Sequence, residues 1–112
     1  MRQENVNIIP VQAAASINGS AIFAANLFSC SVQLAATGSA AGTMKLQASN
    51  DESNASGFVP TNWSDISGAT VSVSGAGAFL IPKTDLCYQW VRVVYTNSGT
   101  GTISVVFKAL GA

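Results

Sequence analysis

The residues able to do chemistry are few and scattered. Five carboxylates, Glu4, Asp51, Glu52, Asp65 and Asp85, are spread along 112 residues, and histidine is absent. A Ser-His-Asp or Cys-His site therefore cannot be built within the chain. Asp51 and Glu52 stand beside Asn50 and Asn54, which gathers hard oxygen ligands of the kind Ca²⁺ takes. The stretch has neither EF-hand spacing nor an Asp-x-Asp run, so it reads as solvated loop carboxylates. A glycosidase needs two carboxyl groups facing one bond, and a chain this poor in ionisable groups is a poor host for that pair. No Gly-rich loop runs into a Lys-Ser or Lys-Thr helix start, so no phosphate cradle is present. Cys30 and Cys87 lie far apart and form no Cys/His metal pattern. Bridged, they would close a loop of about 57 residues and add on the order of 4 kcal/mol in the chain-entropy model; with no secretory signal in view, two free thiols are expected. The expectation is no enzyme, no cofactor and no metal.

What remains is recognition chemistry. Trp63, Trp90, Tyr88 and Tyr95 could stack sugars as a platform, although in a sheet protein aromatics more often anchor a core or an interface. Arg92, between Trp90 and Val94, is the most informative charge. It either pairs with a carboxylate at a covered face or stacks over an aromatic ring, both structural roles. Asn18, Asn54 and Asn62 each match Asn-x-Ser, matches expected by chance in a Ser- and Asn-rich chain.

The elements that must position these residues are strands. Tyr88, Trp90, Arg92 and Val94 alternate with Gln89, Val91, Val93 and Tyr95, apolar on both sides, as in a strand covered on both faces by a second sheet and a long loop or by another subunit. Across Asn97-Ser98-Gly99-Thr100-Gly101, the residues Ile103, Val105, Phe107 and Ala109 give a clean apolar face, and the two arms read as a hairpin. Phe28–Ala36 with Thr43–Ser49, and Thr70–Ser74 with Ala78–Ile81, read as two more hairpins, and Asn18-Gly19 as a tight one between Ile17 and Ile22. Val6–Val11 reads as an opening strand, and Pro10 inside it marks either an edge strand or a strand end. Asn50–Trp63 is rich in turn formers and reads as an exposed loop, with Trp63 folding back on one end of the core. The fold class predicted is all-β: one antiparallel β-sandwich or jelly roll of about eight strands spanning residues 1–112, with 1–11 a possible extended arm.

Composition narrows the function. Five Lys and Arg balance five Asp and Glu, and charged residues make up 9% of the chain, against about a quarter in ordinary domains. Nucleic acid and anionic membranes need clustered cations, so neither is an expected partner. So weakly charged a surface is poorly protected against self-association. There is no apolar run of membrane-spanning length and no secretory h-region after Met1, so synthesis in the cytoplasm is expected.

One pattern adds a family. Gly42-Thr43-Met44-Lys45-Leu46-Gln47-Ala48-Ser49-Asn50-Asp51 is followed by Asn62-Trp63-Ser64-Asp65-Ile66, then the Val71/Val73 strand with a Gly-Ala-Gly turn. Trp90-Val91-Arg92-Val93-Val94-Tyr95-Thr96 and Gly99-Thr100-Gly101-Thr102 complete it. Over residues 28–109 this resembles small β-sandwich virion proteins encoded among the head and tail structural genes of tailed bacteriophages. The resemblance implies a capsid-decoration or head-fibre subunit located on the virion. Its partners would be itself, as a homo-oligomer with a trimer favoured, and virion proteins such as the major capsid protein. Val91, Val93, Tyr95, Val6 and Ile8 are the expected interface. The alternative is a tail-associated receptor- or carbohydrate-binding module presenting Asn50, Asp51, Glu52, Asn54, Phe58 and Trp63 to a host surface glycan. The segment 52–60 looks like an insertion in that pattern, where relatives would vary.

Overall fold

The computed structural model describes residues 3–25, 27–52, 58–84 and 86–111. Alternating apolar residues form nine strands there, in chain order β1 (Gln3–Ala13), β2 (Ile17–Asn18), β3 (Ile22–Phe23), β4 (Leu27–Ala36), β5 (Ala41–Ser49), β6 (Ser64–Ser74), β7 (Gly77–Lys83), β8 (Trp90–Asn97) and β9 (Thr102–Gly111). They build two antiparallel sheets. One has the order β1-β9-β4-β7; the other has the order β2-β8-β5-β6, with β3 also paired to β8. The result is a single-domain β-sandwich whose chain passes from sheet to sheet at nearly every connection, the winding of a jelly roll.

The inward faces follow the alternation. Val32 and Leu34 on β4, Met44 and Leu46 on β5, Val91, Val93 and Tyr95 on β8, and Ile103, Val105 and Phe107 on β9 are all buried. At about 25 cal/mol per Å² of apolar surface removed from water, this interior is the main force holding the sheets together. The Tyr95 hydroxyl, carried into the core, donates to the Ala41 carbonyl at 3.1 Å and lies 3.3 Å from Asn97 Oδ1, so its burial leaves no polar group stranded.

Four expectations are corrected by the pairing. None of the three long hairpins exists: β4 and β5, β6 and β7, and β8 and β9 each lie in different sheets. Each Gly-containing turn is instead an arch over the end of the core. Periodicity reports which face of a strand is buried and not where its neighbour sits. A five-residue link can span up to about 16 Å, enough for a strand alongside at about 4.8 Å or one across the core at about 10 Å. Fourth, Asn18-Gly19 does not turn β2 onto β3; both pair with β8. Gly19 lies flat on that strand, its N–H donating to Val93 O at 2.7 Å, and a Cβ there would come within 2.9 Å of the same oxygen.

The N-terminal stretch is likewise no extended arm. From Gln3 to Ala13 it pairs with β9 through Leu110 to Thr102. Pro10 sits among its register shifts on this edge strand, where a missing donor costs no ladder bond. Sheet edges are blunted elsewhere too, by Pro82 on β7 and by a bulge on β6. At that bulge Gly68 takes φ +76° and Ile66 and Ala69, three apart, both point inward. This break in alternation hid the first half of β6 from the sequence reading.

Both thiols are free, Cys30 buried on β4 and Cys87 exposed. Burial pushes the Cys30 thiol up to about 11, against a smaller opposite pull from Lys83. The folded state thus holds the proton more tightly than the unfolded chain, whose thiol titrates near 9.0. This group costs nothing below pH 9 and withdraws stability as pH rises from there through about 11. Denaturation midpoints at pH 8 and pH 10.5 should converge in Cys30→Ala relative to the wild-type chain.

Candidate binding site

The residues expected to form an interface divide. Val91, Val93 and Tyr95 are 0%, 0% and 1% exposed and face the opposite sheet of their own chain. They are core, and cannot also meet another molecule. Val6 and Ile8 are half-buried and line a shallow groove with Ala21, Ile22 and Phe23. The outer face of β8 is half-buried, touched by Trp63 and Phe58 of the long loop at Arg92 and Trp90.

The Asn50–Trp63 loop, as far as it is described, is closed at its base by one carboxylate. Asp51 Oδ2 accepts from the Thr61 and Asn62 N–H groups at 2.8 and 3.1 Å, and Oδ1 accepts from Asn62 Nδ2 at 2.9 Å. These donors, with the Asn62 side chain foremost, hold its carboxyl below the usual carboxylate range. Asp51 is thus occupied as a clasp. Asn50 is also engaged, its Oδ1 accepting the Gln89 N–H at 2.9 Å, while Glu52 is exposed. Asn54 lies outside the described residues. No group of three potential metal-ligating side chains occurs among the described residues.

Trp63 does not close the core. It lies on the outer face of the five-stranded sheet, with the Arg92 guanidinium stacked 4.4 Å from its ring centre. Arg92 itself is held from behind: its Nε donates to Gln47 Oε1 at 2.8 Å, and Gln47 Nε2 donates to Asp65 Oδ1 at 2.8 Å. Lys45 completes the row with an ion pair to Asp65 Oδ2 at 3.2 Å. These contacts follow from register, since β8 and β5 place Arg92 opposite Gln47, and β5 and β6 place Gln47 opposite Asp65. Hydrogen bonds from Gln47, then Lys45, hold the Asp65 carboxyl below its usual range. Partial burial pushes the Arg92 pKa down from its ordinary value, yet a guanidinium stays charged.

Trp90 continues the aromatic surface. Phe23 meets it edge-on at 5.1 Å, and Phe58 lies tilted at 6.0 Å. Its indole N–H is shut off from solvent and meets no acceptor among the described residues. Together with Asn18, Ser20, Phe58, Val59 and Pro60, the side chains of Trp63, Trp90 and Arg92 border an open cleft of about 430 Å³. Of the four aromatics that could have formed one platform, Tyr95 is in the core and Tyr88 packs against it, so two remain. In the sequence Gln47 stands only in a strand pattern, Asp65 only among the scattered carboxylates and Asn18 only as a turn and an Asn-x-Ser match, none of them as a member of this site. Only the register of β5 with its neighbours gathers the first two beside Arg92.

No protein-family model matches the chain, and no curated protein is significantly similar to it in sequence.

Proposed function

We propose that the chain is a structural virion subunit of a tailed bacteriophage, of capsid-decoration or head-fibre type, that works by associating with copies of itself and with particle proteins such as the major capsid protein. The observation carrying this reading is the outer face of the four-stranded sheet. There, register puts Leu80 and Val106 on either side of Gln33, and Leu110 beside Ser29. These three apolar residues are 54%, 40% and 39% exposed, and Lys108 is the one charged residue on that face among the described residues. A broad sheet surface with so little charge offers little repulsion to a second copy. Symmetric contact through it gives a closed homo-oligomer, a trimer in this reading. The virion location is proposed on the resemblance of its motifs to those of phage sandwich proteins.

Sedimentation velocity tests the association. The wild-type chain should run as an oligomer at about 100 µM, above the roughly micromolar dissociation constant of a specific assembly, and Leu80→Glu with Val106→Glu should run as a folded monomer. Both positions are exposed, so the melting temperature should change by only a few degrees. A wild-type monomer at that concentration defeats the reading. Immunogold labelling of purified particles of the encoding phage should decorate their surface, and bare particles would remove the virion assignment.

A second reading, a tail-associated carbohydrate-binding module, is favoured by the cleft between Trp63, Trp90 and Arg92.

A further inference from the structure

The cleft on the five-stranded sheet holds a cation that no carboxylate among the described residues pairs with. Asp65 is the carboxylate of that row, and it is engaged by Lys45 at 3.2 Å and by the Gln47 amide at 2.8 Å. Arg92 receives only the neutral Gln47 oxygen, on Nε, and no carboxylate pairs with it among the described residues. The guanidinium is therefore fixed on one side by Gln47 and below by the Trp63 ring, with no hydrogen bond from its two terminal nitrogens among the described residues. A planar fork held in this way suits bidentate capture of a carboxylate.

The rest of the cleft states what carries that carboxylate. Its walls offer the apolar edges of Val59, Pro60 and Trp63 and the amide and hydroxyl of Asn18 and Ser20. Mixed apolar and hydrogen-bonding walls match a sugar ring, which has C–H faces and hydroxyl rims. A phosphate dianion would call for several cations or a nest of backbone N–H groups, and only one cation stands here. We infer that this cleft binds an acidic glycan, with Arg92 taking the carboxylate of a sialic or uronic acid residue beside Trp63. The inference rests on the carbohydrate-binding reading and adds the class of sugar.

Ligand-observed NMR titration of the full chain tests it, with the methyl glycosides of N-acetylneuraminic acid and glucuronic acid, the methyl ester of each, and methyl glucoside. At least one acid should bind saturably in the millimolar range, with its ester at least about tenfold weaker. Arg92→Gln should cost a similar factor, and Arg92→Lys should recover only part because it keeps the charge without the fork. Added salt should weaken the acid more than the ester. Esters binding as well as acids overturn the inference and leave a neutral-sugar site standing. No saturable sugar at about 20 mM overturns both. Displacement of the acid by equimolar inorganic phosphate overturns the sugar class in favour of a general anion site. The ester comparison needs no variant, so a misfolded Arg92 substitution leaves the test intact.

Discussion

Val93→Asp is expected to unfold the protein and not to dissociate an assembly of folded subunits. Val93 is fully buried, opposite Leu46 on β5, and its carbonyl accepts the Gly19 N–H. A carboxylate there has no cation within the core, and leaving one buried and unpaired costs several kcal/mol. That is a large share of the roughly 5–15 kcal/mol that holds a domain together. Circular dichroism should show loss of the sheet signal, and the protein should be recovered from inclusion bodies. A soluble, folded monomer would mean that Val93 faces a partner after all. The same charge placed at Leu80, on the outside, should leave the fold intact.

Gly101→Ala should be the costliest change of a single methyl group in the described chain. The position sits at φ +93°, a conformation side chains rarely adopt, and its neighbours are backbone. A Cβ would collide with the Thr37 carbonyl oxygen and stand 3.4 Å from Gly38 Cα. At this point two arches touch: Thr37 N–H donates to Thr102 O at 3.0 Å, Thr100 N–H to Ser39 O at 3.1 Å, and the Thr37 and Thr102 hydroxyls meet at 2.5 Å. Strain and steric clash together should cost about 3 kcal/mol, lowering the melting temperature by on the order of 10–20 °C. Gly75→Ala is the control. Its φ is +80°, but open space surrounds the added carbon, so only about 1 kcal/mol should be lost. Equal losses at the two positions would show that the arches do not press on each other.

The class of the fold was legible in the sequence because alternation is a local property. Val91, Val93 and Tyr95 against Trp90, Arg92 and Val94 divide inward from outward in the structure as their spacing predicts. What alternation leaves open is which strand lies beside which. Strands of either sheet bury one face in the same core, so arches and hairpins have one signature. The site suffered for the same reason. Arg92 over an aromatic ring was one of two options drawn from its neighbours, but its ring belongs to Trp63, 29 positions away. Gln47 joins it only through the pairing of β5 with β8. The interface expectation failed at Val91 and Val93 because a strand apolar on both sides suggests two partners, and here one chain supplies both. Its own second sheet covers one side, and Phe58 and Trp63 of the long loop pack on part of the other.

Among the described residues β1 finds its one sheet neighbour in β9, with Gln3 set against Leu110. Because β9 stands between β1 and β4, the four-stranded sheet is not complete until two strands far apart in sequence have met. Closing a loop that spans nearly the whole molecule carries an entropic cost that slows folding.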